Sequence, residues 1–271
     1  MLPSVDNSIL KGVRLYGDDF TEEHIKEWFA DEKHSYHELV NSVASEPYLY
    51  RELNVFHAFR HLPERQWEHV LGFGSYTGED LLPIVDRVKM VTIVDPAPVS
   101  TVLPGMVSYI VPNPSGRLSL LDESIDLVIC FNVLHHIPNV SFVVSELTRC
   151  LAPGGWMLVS EPRTSMGDWT HQRPGMTAHE RGIPELILRN ILVSAGLTLR
   201  SHSRQKHWIT KRFIQPYYDC PGRSIYNSPA LVRLDAWLSK WVHWNRQYHP
   251  LKRHRGPSAS GVVFVVEKRG T

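Results

Sequence analysis

The stretch that decides the fold is Val70-Leu71-Gly72-Phe73-Gly74-Ser75-Tyr76-Thr77-Gly78-Glu79-Asp80-Leu81. Its apolar start predicts a buried strand, its glycines predict a tight turn, and the acidic residues after Gly78 predict the first turn of a helix. Such a turn lets the backbone approach a ligand closely and directs amide N–H groups at it. Asp95 comes seventeen residues after Gly78, at the end of the next predicted strand, where a carboxylate can accept both hydroxyls of a ribose.

The glycine spacing by itself identifies no nucleotide site. Dinucleotide folds prefer Gly-x-Gly-x-x-Gly, whereas here the third glycine, Gly78, comes one residue late, and no Gly-Lys-Ser/Thr follows to make a phosphate-binding loop.

Outward from this stretch, short β-branched runs alternate with helical stretches, which indicates an α/β sheet with buried parallel strands. The helices are predicted at Ser141–Leu151, which ends at Ala152-Pro153-Gly154-Gly155, and at Glu180–Ala195. The predicted strands are His69–Leu71, Val91–Val94, Ile125–Cys130, Trp156–Val159, Leu197–Leu199 and Gly261–Glu267.

Two further helical regions flank this core. From Phe20 to about Arg60 apolar residues recur at helical spacing, with Thr21 as the cap and a break at Glu46-Pro47. A second amphipathic helix begins near Ser228-Pro229. It places three indoles on one face, which we expect to pack on the core rather than stack on a substrate: Trp237, Trp241 and Trp244.

The composition is that of an ordinary globular protein, with 271 residues, 42% of them hydrophobic, and a net charge of +1. No apolar run reaches the ~20 residues of a membrane helix, and the first residues lack a signal-peptide pattern. Three scattered cysteines fit a reducing compartment, so we expect a cytoplasmic protein without a membrane segment. No metal site is expected, because His37-Glu38-Leu39-Val40-Asn41 has asparagine where a metalloprotease helix needs histidine.

The charge is unevenly distributed. Residues 1–195 hold 15 basic and 25 acidic side chains, whereas residues 196–271 hold 14 basic and 3 acidic ones. This split indicates an anionic partner at the basic end, docking of one end on the other, or simple mutual neutralisation within one domain.

Five segments in order resemble the class I S-adenosylmethionine-dependent methyltransferases, in particular the small-molecule group similar to methyltransferase type 11. The segment 70–78 resembles the cofactor loop, Asp95 the ribose-binding acid, and Ser124–Val128 the fourth strand. Asn132-Val133-Leu134-His135-His136-Ile137 resembles the segment beside the methionine moiety. The fifth-strand hairpin is matched by Leu151-Ala152-Pro153-Gly154-Gly155 and Ser160-Glu161-Pro162.

The resemblance implies a Rossmann-like, doubly wound α/β fold. Its sheet would have seven mostly parallel strands and an antiparallel C-terminal strand, with N-terminal helices and a helical insertion added. It also implies S-adenosylmethionine as the cofactor. The cofactor-binding residues would be Gly72, Gly74, Ser75, Tyr76, Gly78, Asp95, Asn113 and Asn132.

Two positions depart from the family pattern. Gly72 stands where the family usually has Asp or Glu, and Tyr76 stands where it has Gly. Ser75 or Glu79 is a candidate to compensate for the missing acid. The departures also leave open a catalytically silent protein that uses the fold to bind a partner.

Methyl transfer is an in-line displacement that chiefly needs alignment and exclusion of water. A hydroxyl acceptor also needs a base, and His136 is our candidate because it follows the fourth strand at the mouth of the crevice. Glu161 is a second candidate, and capping of a helix is its alternative role. An amine or thiol acceptor can react without a base.

We therefore expect a helical cap over residues 1–62 and a methyltransferase core over residues 63–271, with an insertion at 209–258. The acidic cap and the basic insertion are expected to meet over the crevice as a lid.

The predicted partner is a small-molecule substrate that could be anionic. RNA methylation stays an alternative because basic and aromatic residues interleave near the C-terminus, although the net charge of +1 and the lack of an appended recognition domain argue against it. The sequence leaves the oligomeric state open.

Overall fold

One seven-stranded sheet organises the protein. The structure is a computed structural model that describes residues 2–43, 48–97, 100–171, 173–244, 247–249 and 256–270, with backbone alone for 38–43. The strands are β1 (Trp67–Phe73), β2 (Val88–Val94), β3 (Met106–Ile110), β4 (Ile125–Phe131), β5 (Leu151–Pro162), β6 (Leu197–His207) and β7 (Ala259–Lys268).

The strand order is β3-β2-β1-β4-β5-β7-β6. The first five strands pair in parallel, and β7 pairs antiparallel with both β5 and β6. The predicted fold class, including the antiparallel C-terminal strand, is confirmed. The order reverses between β1 and β4, and ligands bind at such a switch point, beyond the carboxyl ends of the strands.

Helices cover both faces of the sheet. They are α1 (Asn7–Leu10), α2 (Glu22–Val43), α3 (Arg51–His57), α4 (Val140–Cys150), α5 (Glu185–Ser194), α6 (Gln215–Tyr218) and α7 (Pro229–Trp241). Segments of 3-10 helix lie at Phe59–His61, Glu79–Arg87, Leu134–His136 and Ile225–Asn227, and a π-helical turn lies at Thr210–Ile214. Thr21 caps α2 as predicted, since its hydroxyl accepts from the His24 amide at 3.4 Å. The predicted break at Glu46-Pro47 lies outside the described residues.

Alternate residues of the strands point into two apolar layers. On one face, residues such as Val128 and Met157 pack with residues of α4 and α5. On the other face, residues such as Ile129 and Leu158 pack with Phe59 and Leu81. This alternation buries both sides of the central strands and fixes which strand ends meet at the switch point.

Several predicted boundaries are wrong. The strand β3 is missing from the predicted set, because it lies at the sheet edge and its residues are only partly buried. Leu151 already belongs to β5 rather than to the preceding helix, and β6 extends to His207.

The helix predicted from Glu180 begins only at Glu185. The preceding segment is held extended by Arg181, which is fully buried and donates to the carbonyls of Tyr16, His135, Ile137 and Pro138. A buried guanidinium requires such partners, so these bonds override the helical pattern.

The prediction that the three indoles pack on the core is also wrong. The exposed fractions are 58% for Trp237, 63% for Trp241 and 81% for Trp244. α7 instead buries its opposite face, which carries Val232 and Leu238.

Candidate active site

The loop after β1 packs directly against the loop after β4. Gly74 has a φ of +71°, and its amide donates to the Val94 carbonyl at 2.7 Å. A Cβ at this position would lie 2.4 Å from Cγ2 of Val133, which follows β4. Only glycine therefore allows these two strand ends to approach each other.

This packing makes a testable prediction. Gly74→Ala should lower the free energy of unfolding clearly more than Gly154→Ala, by roughly 1–3 kcal/mol of overpacking. Gly154 has a similar φ, +73°, but a Cβ added there would meet no heavy atom within 4 Å, so it controls for backbone strain. Urea unfolding measures both, and equal losses would contradict the close approach.

Asp95 lies at the end of β2 with most of its carboxylate hydrogen-bonding capacity in use. It accepts from the amides of Tyr76 at 3.0 Å and Ala97 at 2.9 Å, and from the Tyr36 hydroxyl of α2. Burial raises the pKa of this carboxyl in spite of these bonds. An ionised carboxylate offers about four acceptor positions. Two ribose hydroxyls would therefore have to displace Tyr36 or share its position.

A cavity lies between α2 and the ends of β1, β2 and β4, and we name it the α2 cavity. Its volume is about 930 Å³ with its open mouth included. α2 contributes Trp28, Phe29, Glu32, Lys33 and Tyr36 to the wall. Such a mainly apolar wall with a few convergent polar groups is typical of small-ligand sites.

The predicted site residues divide into two groups around this cavity. Five of them line it together: Gly74, Asp95, Asn113, Asn132 and His136. The other four are not among its lining residues and support the loop instead: Gly72, Ser75, Tyr76 and Gly78. Tyr76 does so through the amide that it donates to Asp95, with a φ of +45°.

The structure leaves no space for a side chain at Gly72. A Cβ there would lie 2.7 Å from Oγ of Ser75, whose hydroxyl donates to Asp80 at 2.8 Å. The family pattern has an acid at the position of Gly72. In this chain the carboxylate of Asp80 lies near that position, on the other side of the Ser75 hydroxyl. Burial raises the pKa of Asp80 to about 7, and its Oδ1 has no hydrogen-bond partner among the described residues.

Asp80 makes a pH-dependent contribution to stability. The unfolded chain loses this proton near the ordinary pKa of 3.8, whereas the folded protein keeps it up to about pH 7. The free energy of unfolding therefore falls as the pH rises through that range. Asp80→Asn should therefore gain stability relative to wild type between pH 5 and pH 8. Urea unfolding at both values tests this, with the exposed Asp86→Asn as control. A difference that does not change with pH would contradict a buried neutral carboxyl.

His136, whose side chain is half-buried, pairs with the buried Glu32 of α2. Its Nδ1 lies 2.8 Å from Glu32 Oε2 and 2.9 Å from the Thr177 hydroxyl. Burial alone would lower the pKa of His136, but the hydrogen bond and charge of Glu32, with Glu180 and Glu161 nearby, raise it above 6.5. Because the carboxylate accepts at Nδ1, the neutral ring carries its proton there and Nε2 is free to accept one.

Glu161, the second candidate base, caps the Leu134–His136 turn. Its carboxylate accepts from the amides of Val133, Leu134 and His135 at 2.7–3.3 Å. It also lies 2.7 Å from Nδ1 of His135. These bonds fix the loop that carries His136, and they fit the capping alternative for Glu161.

Besides the Tyr36 hydroxyl, sequence reasoning missed two further side chains at this site. Glu32 is one, since a lone acid on a helix gives no signal of its partner. Lys206 is the other: its Nζ lies 3.4 Å from Asn132 Oδ1 and 4.5 Å from the centre of the Tyr50 ring. Burial lowers the pKa of Lys206 to about 8.

Only one of the two elements predicted to form a lid, α2, lines the α2 cavity. α2 lies over the cavity, but its acids pair with His136 and, through Asp31, with His179 at 2.9 Å. Among the described residues of 209–258, none lines the α2 cavity. This segment meets the N-terminal region through aromatic packing instead, with Tyr226 stacked on Tyr50 at 5.5 Å.

Within the described parts of the chain, no helix has both the length and the apolar character needed to cross a membrane. The same residues include no group of three or more His, Cys, Asp or Glu placed to hold a metal ion.

Residues 48–202 match the family model described as a methyltransferase domain. The chain is 35% identical over 81 residues, 30% of its length, to a protein of Mycolicibacterium smegmatis named "Probable S-adenosylmethionine-dependent methyltransferase". That match spans 32% of the relative, about a third of its length.

Solved structures share the fold over nearly the whole chain. The cyclase SpnF aligns with a TM-score of 0.56 and 15% identity, covering 95% of this chain and 99% of SpnF. The 1,6-didemethyltoxoflavin-N1-methyltransferase of Burkholderia thailandensis, solved with S-adenosylhomocysteine, aligns with a TM-score of 0.53 and 16% identity, covering 92% of this chain and 91% of that one. Identities this low establish the fold alone. With the family match over more than half its length, the chain belongs to the S-adenosylmethionine-dependent methyltransferases, in the methyltransferase-domain family.

Proposed function

We propose that this protein transfers the methyl group of S-adenosylmethionine to the hydroxyl of a small molecule bound in the α2 cavity. The observation that carries the proposal is the way α2 is held across the cavity. Glu32 accepts from His136 and from the His179 amide, and the Tyr36 hydroxyl donates to Asp95. A crevice closed in this way suits a small acceptor better than a polymer.

The residues present fit the cofactor. Asp95 would accept the ribose hydroxyls once Tyr36 yields, Asn113 would meet the adenine, and Asn132 would lie beside the methionine moiety. When bound, S-adenosylmethionine supplies an electrophilic methyl group on a sulfonium. The chain itself needs to align the acceptor with that group and to keep water out.

Glu32 and His136 supply the proton chemistry that a hydroxyl acceptor requires. Glu32 holds the His136 ring by Nδ1, so Nε2 of the neutral ring would take the hydroxyl proton as the acceptor oxygen displaces the methyl group from the sulfonium sulfur. A thiolate or an amine would need no such pair, and this favours the hydroxyl. In this proposal residues 1–62 act as a cap over a core of residues 63–271, with 209–258 as an insertion.

The Burkholderia neighbour supports a small acceptor, since its name specifies an N1-methyltransferase of 1,6-didemethyltoxoflavin. The fold likeness sets the class of architecture, and the choice of acceptor rests on the α2 cavity.

Transfer of an isotopically labelled methyl group tests the proposal. The protein is incubated with labelled S-adenosylmethionine and a cell extract separated into low-mass, RNA and protein fractions. We expect label in the low-mass fraction, resistant to nuclease and protease. Label in RNA would favour the RNA alternative, and no transfer in any fraction would favour a silent, partner-binding protein.

A further inference from the structure

Exposed aromatic side chains are concentrated in one part of the chain, the segment between β6 and β7. Of the six large aromatic side chains that are exposed in the described structure, five belong to this segment: Phe213, Tyr217, Trp237, Trp241 and Trp244. The sixth is Phe142 on α4. Large apolar side chains that are exposed together, rather than singly, are typical of interaction surfaces.

The centre of this surface is the outward face of α7. Leu234, Trp237 and Trp241 are exposed and lie three or four residues apart, so they form one stripe along the helix, which we name the α7 stripe. Trp244 is exposed directly after the end of α7. A surface helix ordinarily packs its apolar residues on the core, whereas α7 presents this set to solvent.

The opposite face of α7 is anchored, which fixes the stripe on the outside. Asp235 is 1% exposed and accepts from the amides of Lys206 at 2.8 Å and His207 at 2.7 Å. Nε2 of His207 donates to the Val242 carbonyl, which follows α7, at 2.8 Å. Turning the α7 stripe towards the core would break these buried hydrogen bonds and leave their polar groups unpaired.

No acidic side chain is exposed in this segment. Residues 209–258 hold nine Lys and Arg but only two acids, Asp219 and Asp235. Asp235 is buried, and Asp219 is half-buried and accepts from the Ile225 amide at 2.8 Å and from the Gln215 side chain at 2.9 Å. Both carboxylates are therefore occupied within the protein, and the outer surface is left without negative charge.

Two cations border the α7 stripe. Arg233 and Lys240 are exposed, and they lie four residues before and three residues after Trp237, on the same side of the helix. The Lys240 ammonium lies 5.1 Å from the centre of the Trp241 ring. Neither cation forms an ion pair with a described acid. The outward face of α7 therefore combines an apolar centre with a positively charged border.

This combination matches the chemistry of an anionic lipid surface. Indoles have an apolar body and a polar N–H group, and they are enriched at the level of lipid headgroups. Helices that lie in the plane of a membrane place such a face in the headgroup region, with Lys and Arg near anionic lipids. RNA binding instead depends on many cations along a phosphate backbone, whereas this face offers two beside an apolar stripe.

We propose that the α7 stripe docks this protein on an anionic lipid surface, with its indoles among the headgroups and with Arg233 and Lys240 against the lipid phosphates. The helix would lie along the surface and not cross it. The inference goes beyond the proposed function and is independent of it, because docking requires neither the cofactor nor an acceptor.

Sedimentation with vesicles tests the docking. The vesicles consist of equal parts of phosphatidylglycerol and phosphatidylcholine, and phosphatidylcholine alone serves for comparison. We expect binding to the anionic vesicles that is weakened by added salt, and binding to the neutral vesicles that is weaker by about tenfold or more. Trp237→Ala with Trp241→Ala, and separately Arg233→Gln with Lys240→Gln, should each weaken anionic binding by about tenfold or more.

The matched control is Leu186→Ala with Arg189→Gln. It removes an exposed apolar residue and an exposed cation from another surface helix, α5, and should bind like wild type. Circular dichroism checks that all three double variants fold. No binding to anionic vesicles, equal binding to neutral ones, or wild-type binding in either α7 variant would overturn the proposal.

Two further measurements decide between occupants of the stripe. Sedimentation velocity without lipid should give a monomer, and a dimer that Trp237→Ala with Trp241→Ala dissociates would assign the stripe to a second copy of this chain. A short RNA should not displace the protein from anionic vesicles. An RNA that displaces it, and whose binding is lost in the same variants, would overturn the lipid assignment.

Discussion

Replacing His136 with asparagine is expected to lower the turnover number for a hydroxyl acceptor by roughly 10²- to 10⁴-fold, the usual contribution of a positioned base. Asparagine keeps an amide near the position of Nδ1, so its contact with Glu32 is retained while Nε2 is lost. The affinity for S-adenosylhomocysteine should stay within about threefold of wild type, since this change spares Asp95. Labelled-methyl transfer and calorimetry on the same samples separate the two effects.

The pH dependence of the methyl-transfer rate tests the same pair of residues. Only neutral His136 can accept a proton, so the rate should rise with pH and level off above the raised pKa of this ring. Glu32→Gln removes the charge and the carboxylate hydrogen bond that raise that pKa, and the rise should then move to lower pH. The exposed His171→Asn is the control. An unchanged profile in Glu32→Gln, or full activity in His136→Asn, would show that this pair is not the base.

Asp95→Ala is expected to weaken the binding of S-adenosylmethionine by about 10²- to 10⁴-fold. The variant loses two hydrogen bonds between ribose hydroxyls and a charged acceptor, each worth roughly 1.5–3 kcal/mol. It also frees the Tyr76 amide and so loosens the loop after β1. Calorimetric titration measures the dissociation constant.

Two variants accompany this measurement. Asp95→Asn keeps the shape and one acceptor oxygen, and an intermediate loss is expected for it. Asp86→Ala removes an exposed carboxylate from the nearby 3-10 turn and should bind like wild type. Wild-type affinity in Asp95→Ala would mean that the ribose is held elsewhere.

The parts of the site that could be predicted from the sequence are those set by local backbone geometry. The glycine turn after β1 and the acid that ends β2 depend on residue types within a short stretch, and the structure places Gly74 and Asp95 on one cavity. The strand runs of β1, β2 and β4 were likewise identifiable, because parallel strands buried on both faces read as apolar, β-branched runs. The run of β7 was identifiable for the same reason of burial, although β7 is antiparallel.

The parts that could not be predicted depend on contacts between distant segments. Glu32 meets His136 across 104 positions of sequence, and Lys206 meets Asn132 across 74. The exposed indoles of α7 show the same limit, since periodicity identifies two faces of a helix but not which one is buried. The start of α5 at Glu185 instead of Glu180 could not be predicted for a similar reason. The four carbonyl groups that bind the Arg181 side chain come from other segments.

A crystal structure of the wild-type protein with S-adenosylhomocysteine tests the central claim most directly. The account predicts one ligand in the α2 cavity, with its ribose hydroxyls on Asp95, the Tyr36 hydroxyl displaced from that carboxylate, and the sulfur beside Asn132 on the side of His136. A ligand bound outside the α2 cavity, or one whose ribose makes no contact with Asp95, would contradict the account.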